Sequence, residues 1–128
     1  MTKLLPMWLL ACVDGPGREA LPEVDTAAFF ATVEPVLGAR CANPACHGTA
    51  ARPLEIYAGN QHRADAAATW SDAPLTGDEH ARNLARARSF LPFALLRKPL
   101  DAADHGGGAV WEDTGEAEWQ ALRDWAEP

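Results

Sequence analysis

CANPACHG, residues 41–48, is the segment of this chain with the most reactive side chains. Cys41 and Cys46 are separated by four residues, and His47 directly follows the second cysteine. A zinc site needs four ligands at set spacings, and no second cysteine-rich or His-x-x-x-His element follows this loop. A Cys41–Cys46 disulfide stays open as an alternative, although it gives His47 no role. The third possibility is covalent attachment of a prosthetic group through both thiols.

This loop resembles the haem-attachment motif of c-type cytochromes, C-x-x-C-H, in a longer form with four residues between the cysteines. The resemblance implies that Cys41 and Cys46 each add across a vinyl group of haem c and that His47 ligates the iron. It also implies an all-α fold, a small cytochrome c-like helical domain around a covalent haem. The implied activity is electron transfer and not enzymatic catalysis.

Helical periodicity prevails along the rest of the chain, which by itself predicts an all-α domain. Asp25 is a candidate N-cap for the first helix. Apolar residues then recur at the spacing of one buried face: Phe29, Val33, Val36 and Leu37. Pro35 predicts a kink or restart, because proline lacks the backbone donor that a helix interior needs. Gly38 predicts the end of this helix, just before residues 41–48, which we call the attachment loop.

The middle of the chain alternates between predicted loops and helices. Residues 52–57 predict a loop, and the alanine-rich residues 60–70 predict a helix. Thr76 and Glu79 form a capping box that opens the next helix. Residues 91–100 predict a short apolar helix or turn that ends at a proline.

A last helix closes the predicted fold. Residues 113–116, Asp-Thr-Gly-Glu, predict a second capping box at its start. Trp119 and Trp125 fall on one apolar face of this helix. In the cytochrome c fold a terminal helix crosses the first one, so we expect one of these tryptophans near Phe29 and Val33.

The amino terminus predicts export. Residues 1–11 combine a basic start with a short apolar run, as a signal peptide does, and LLAC at residues 9–12 resembles the lipobox of bacterial lipoproteins. The resemblance implies that Cys12 is lipidated, that residues 12–24 form a flexible tether, and that residues 25–128 form the folded domain. The alternative is an ordinary cysteine in a truncated signal. No segment is long enough to span a bilayer, so the lipid would be the only membrane anchor.

The formal net charge of −7 argues against nucleic acid and anionic lipid as partners. An acidic surface suits steering toward a basic redox protein, and we expect a monomer. The lipoprotein resemblance places the protein on the periplasmic side of a bacterial membrane. Val13 after Cys12, where an acidic residue is absent, favours the outer membrane.

The second iron ligand is predicted from the histidines. Met1 and Met7 are the only methionines, and both lie in the predicted signal peptide, so Met/His ligation is excluded for the mature protein. His105 stands between two predicted helices and precedes three glycines, which permit close approach of the backbone to a bulky group. We therefore expect His105 opposite His47. The alternatives are His62, or an open site that would suit a haem enzyme or sensor and leave His105 a solvated loop residue.

A second, longer resemblance supports this choice. LLRKPL at residues 95–100, HGGG at residues 105–108 and a terminal helix with Trp125 are similar to a group of c-type cytochrome domains in exported bacterial proteins. Three cations are candidates to pair with the haem propionates, with surface solvation as the alternative reading of each: Arg97, Lys98 and Arg52.

Overall fold

Helices are the only regular secondary structure in residues 20–91 and 93–128, the part of the chain that the computed structural model describes. The all-α class is therefore confirmed for these residues. None of the helices described is long and apolar enough to cross a membrane. The predicted signal peptide, Cys12 and most of the predicted tether lie outside the described residues, so the predicted division of the chain stays a prediction.

The first helix is a continuous rod of three parts. α1 (Thr26–Ala28) leads into a π-helical turn (Phe29–Val33), and α2 (Glu34–Cys41) follows directly. Asp25 caps the rod as predicted, because its Oδ1 accepts a hydrogen bond of 2.9 Å from the backbone N–H of Ala28. The predicted restart at Pro35 is also confirmed, since regular α-helix resumes at Glu34 with proline in its first turn. Pro35 has no N–H to donate, and it directly follows the π-helical turn, where the Glu34 N–H bonds to the Phe29 carbonyl and the regular hydrogen-bond pattern changes.

The prediction that Gly38 ends this helix is wrong. The helix runs on to Cys41 and so carries the first cysteine on its last turn. A side chain at Gly38 would lie 3.4 Å from the Ala58 side chain, and the Gly38 carbonyl accepts a hydrogen bond of 3.1 Å from Gln61. Glycine is present here because another segment packs closely against the helix, not because the helix stops.

The long connection after the first helix has little regular structure. Residues 52–57 form a loop as predicted. The prediction of a helix over residues 60–70 is wrong, because the only helical structure there is a single 3₁₀ turn, Ala66–Ala68. Asn60 and Trp70 have positive φ angles of 55° and 68°, which no α-helix allows. Side-chain and tertiary hydrogen bonds thus override the helix propensity of alanine in this stretch.

α3 (Gly77–Ser89) begins at the predicted capping box. The Thr76 hydroxyl accepts from the Glu79 N–H at 3.2 Å, and the Glu79 carboxylate accepts from the Thr76 N–H at 2.8 Å. After α3 come α4 (Phe93–Arg97) and a 3₁₀ turn (Lys98–Leu100), in agreement with the short apolar helix predicted there.

α5 (Ala117–Ala126) is the terminal helix, and it starts later than predicted. The prediction of a second capping box is wrong, because its acidic side chains accept hydrogen bonds within the turn that precedes α5. Asp113 Oδ1 accepts from the Gly115 N–H at 2.6 Å, and Glu116 Oε1 accepts from the Glu112 N–H at 2.7 Å. The first turn of α5 therefore has no side-chain cap.

The terminal helix packs on the first helix as predicted. The Phe29 and Trp125 ring centres are 5.1 Å apart, and the Trp125 indole donates to the Asp25 carbonyl at 3.0 Å. Trp119 donates to the Leu96 carbonyl, also at 3.0 Å, which ties α5 to α4. Both indole N–H groups are thus satisfied where the rings are buried. This arrangement brings α2, α4 and α5 around one cavity.

Candidate functional site

The cavity has a volume of about 620 Å³ and is bordered by the end of α2, the attachment loop, α4 and residues 104–111. Apolar side chains form much of its wall, notably Leu37, Leu95, Trp111 and Leu122. Its volume lies within the range of about 300–1,000 Å³ that is usual for small-molecule and cofactor sites. The cavity is the place where the residues singled out from the sequence meet.

The attachment loop turns tightly through three backbone hydrogen bonds. Cys46 and Gly48 donate to the Asn43 carbonyl at 2.8 and 2.9 Å, and His47 donates to the Cys41 carbonyl at 3.0 Å. A side chain on Gly48 would lie 2.0 Å from the Ala42 carbonyl oxygen, so only glycine fits there. The loop thereby returns on itself, and both cysteines and the histidine line the same cavity.

Cys41 and Cys46 are free thiols in this arrangement and not a disulfide. Cys41 is only 6% exposed. Burial, with a smaller effect of Cys46, raises the pKa of the Cys41 thiol to about 12. A protonated, buried thiol is a weak nucleophile on its own. The Cys41 thiol is therefore protonated at neutral pH in this fold.

His47 is held in one tautomer by its backbone partner. Its Nδ1 lies 2.8 Å from the Leu54 carbonyl oxygen, which can only accept, so Nδ1 carries the proton and Nε2 has a free lone pair. Burial lowers the pKa of His47, against the opposing hydrogen bond to Leu54. The imidazole is therefore neutral near pH 7, as a metal ligand must be, and it has the second hydrogen bond that orients most ligating histidines.

His105 makes a similar hydrogen bond at the same cavity. Its Nδ1 donates to the Gly108 carbonyl oxygen at 2.6 Å, so the proton of the neutral ring is on Nδ1. The His47 and His105 ring centres are 5.9 Å apart, with 20° between the ring planes. The two imidazoles thus lie close together at the cavity, with their ring planes nearly parallel.

The remaining histidines are held elsewhere by carboxylates. His62 Nε2 lies 2.7 Å from Glu55, and His80 Nδ1 lies 2.7 Å from Glu34; neither ring lines the cavity. The structure therefore brings His105, and not His62, to His47. Within residues 20–91 and 93–128, no group of three or more His, Cys, Asp and Glu side chains is arranged around a metal position.

The three predicted cations are divided between two places. Arg52 and Lys98 line the cavity, whereas Arg97 does not, and its guanidinium lies over the Phe93 ring, 5.1 Å from the ring centre. Arg52 and Lys98 thus lie at the cavity and Arg97 does not, and the pairing with haem propionates stays a prediction for all three.

Sequence reasoning missed three other residues of the site. Arg40 lines the cavity and pairs with Glu118 at 2.6 Å, and Glu118 also accepts from the Trp111 indole at 3.3 Å. Arg40 and Glu118 are 78 residues apart in the chain, so no local pattern predicts that they pair. Trp111 could have been identified from the sequence. A tryptophan inside a polar, glycine-rich loop indicates that the loop packs on an apolar surface.

One of the three glycines after His105, Gly107, is close to the attachment loop. A side chain on Gly107 would lie 3.7 Å from His105 Cε1 and 3.8 Å from Cys46 Sγ. Backbone therefore passes next to the second thiol and the second imidazole at once. Gly107 leaves this part of the cavity open where a larger residue would narrow it.

Comparisons with protein-family models, curated proteins and solved structures give no match to this chain. The likeness to a family thus depends on residues 41–48, on the pattern that surrounds His105, and on the geometry that brings them together.

Proposed function

We propose that this chain is a monohaem c-type cytochrome that carries single electrons on the periplasmic side of a bacterial membrane. The observation that carries the proposal is the meeting of Cys41, Cys46, His47 and His105 at one cavity. Each of the two imidazoles has its Nδ1 on a backbone carbonyl and its Nε2 free.

Each part of the site has a role in this proposal. The thiols of Cys41 and Cys46 would hold the haem covalently, and His47 and His105 would ligate its iron. The haem, when bound, takes up and releases one electron at a potential set by its ligands, its burial and nearby charge. With His47 and His105 both bound to the iron, no position would be left for a substrate. That favours an electron carrier over a haem enzyme.

Export and anchoring belong to the same proposal. Covalent attachment keeps the group on a protein that has left the cytoplasm, and the predicted signal peptide provides the route. Cys12 would carry acyl chains, each buried CH₂ of which contributes about 0.8 kcal/mol to membrane binding. The predicted tether of residues 12–24 would then separate the helical domain from the membrane surface.

The proposal is tested by producing the full chain in a bacterial host with haem-attachment machinery. We expect the intact polypeptide to carry the mass of one haem after denaturation, and the reduced-minus-oxidised spectrum to show the sharp bands of a c-type haem. A colourless protein of bare polypeptide mass, with Cys41 and Cys46 free or joined to each other, contradicts the proposal. That result would favour a structural lipoprotein module instead.

The His105→Ala variant is expected to keep its covalent haem but to lose the second axial ligand. The absorption spectrum of the oxidised protein should change from low-spin to high-spin, and the reduced protein should bind carbon monoxide. His62→Gln is the matched control, because His62 does not line the cavity and Glu55 keeps Arg86 as a partner. An unchanged spectrum for His105→Ala, or a spin change in His62→Gln, would show that the second ligand has been wrongly assigned.

A further inference from the structure

Some of the lysine and arginine side chains of this acidic protein have carboxylate or carbonyl partners and others do not. Five arginines of the described chain pair with carboxylates, and Arg88 donates to the carbonyls of Leu21 and Pro22. Among the residues described, the lysine and arginine side chains that have no such partner are Arg52, Arg97 and Lys98. All three are exposed. The chain has 18 Asp and Glu residues against 11 Lys and Arg residues, yet these three cations have no carboxylate partner.

These cations lie at the cavity or next to a residue that lines it. Arg52 and Lys98 line it, and Arg97 precedes Lys98 at the end of α4. Phe93, one turn earlier, is 64% exposed, and the Arg97 guanidinium covers its ring. We call Arg52, Phe93, Arg97 and Lys98 together the cationic face.

The sign of the local charge is opposite to that of the whole chain. The residues lining the cavity include three cations, of which Arg40 is paired with Glu118, and a single carboxylate, Asp104. The whole chain has a formal net charge of −7. A local positive region on a negative protein attracts anionic groups to one place and repels them elsewhere, which orients an approaching partner.

We propose that the cationic face is the docking surface for an acidic protein partner. A carboxylate bound inside the cavity would explain Arg52 and Lys98, but it leaves Arg97 and the exposed Phe93 ring unexplained, because neither lines the cavity. Arginine and aromatic side chains together are the usual energetic centres of protein interfaces. The overall acidity of the chain predicts a basic partner, whereas the local charge beside the cavity favours an acidic one. The docking inference needs no bound haem; it depends on the proposed function only for the partner's being a redox protein.

The test uses the full-length exported protein, labelled with ¹⁵N and kept reduced, and a short poly-L-glutamate peptide as the probe. We expect amide chemical-shift changes to concentrate on the cationic face and to weaken as salt is added. Poly-L-lysine should not perturb these amides. Perturbations spread over the surface or centred on another face overturn the proposal, as does tighter binding of single-stranded DNA of equal charge.

Charge reversal separates local from overall charge. The Arg97→Glu/Lys98→Glu variant should raise the Kd for poly-L-glutamate about tenfold or more. The matched control, Arg82→Glu/Arg123→Glu, changes the net charge equally at two exposed sites that do not line the cavity, and it should raise the Kd far less. Equal effects of the two variants would overturn the proposal. Peptide binding is measured directly and does not require haem. A chain without haem would therefore contradict the proposed cytochrome, whereas the peptide titration would still test the docking surface.

Discussion

Replacing both Cys41 and Cys46 with alanine is expected to abolish covalent haem attachment in the exported protein. Each thiol can form one thioether, and either bond alone would keep the group on the chain. The double variant should therefore have the bare polypeptide mass after denaturation. Each single variant should retain the mass of one haem, in lower yield. Intact-protein mass spectrometry after acid extraction measures the difference.

The fold gives this experiment a clean control, because the attachment loop does not depend on the thiols for its shape. Its turn is made by the backbone groups of Asn43, Cys41 and Gly48, which alanine at positions 41 and 46 leaves in place. The helical circular dichroism of the double variant should thus match that of the parent chain when both are prepared without haem. Haem mass that survives denaturation in the double variant would mean that the group, if present, is held by another residue.

Local chemistry accounts for the elements that were predicted correctly. Asp25 and Thr76 cap helices through side chains that lie within three residues of their partners. Trp119 and Trp125 lie on one face because the helix period places them there, and burial of that face follows. His105 was singled out from few histidines and from the glycines beside it; the structure places it near His47, and its role as an iron ligand stays a prediction. In each case the deciding interaction is short in sequence.

The predictions that failed depended on distant partners. Gly38 lies inside its helix, at a contact with Ala58 that the local sequence does not indicate. Residues 60–70 do not form a helix, since Arg63 turns inward to a carboxylate on α3. Nothing in the local sequence distinguishes an arginine that will be buried from one that will be solvated. Side-chain pairs of this kind are fixed by topology, which the periodicity of one segment does not contain.

A buried polar network around α3 is the largest feature that the sequence left hidden. Asn83 is fully buried; its amide donates to Glu34 and to the Tyr57 carbonyl, and its oxygen accepts from the Tyr57 N–H. These bonds tie the first helix, the long connection and α3 together. Because buried polar groups are costly without partners, such a network fixes one arrangement of the three segments.

The Glu79→Gln substitution is expected to lower the free energy of unfolding by about 3–5 kcal/mol at pH 7. Glu79 and Arg63 have side chains only 2% and 3% exposed, and the carboxylate accepts from Arg63 at 2.9 and 2.8 Å. It also accepts from the backbone N–H groups of Ala64 and Thr76, both at 2.8 Å. A neutral amide cannot accept all of these bonds, and it leaves a buried guanidinium without a counter-charge. Urea unfolding followed by circular dichroism measures the loss.

The pH dependence of stability provides the sharper test of the same pair. The hydrogen bonds from Arg63, helped by the backbone donors and opposed by burial, lower the pKa of Glu79 from 4.5 to about 2. A lowered carboxyl pKa stabilises the fold fully above pH 4.5, and the stabilisation is lost as the pH falls toward 2. The loss amounts to about 3 kcal/mol at about 1.4 kcal/mol per pKa unit.

Glu79→Gln should therefore lower stability at neutral pH. It should also remove most of the fall in stability between pH 4.5 and 2, which we call the acid limb, because it removes the group that titrates. Asp78→Asn is the matched control: Asp78 precedes Glu79 and pairs with Arg82 at 2.9 Å, but both side chains are at least half exposed. Exposed pairs of this kind contribute about 0.3–0.5 kcal/mol, so the control should unfold almost as the parent chain does. If Glu79→Gln and Asp78→Asn lost similar amounts of stability, or if the acid limb persisted in Glu79→Gln, Glu79 would not be the residue whose ionisation holds the long connection against α3.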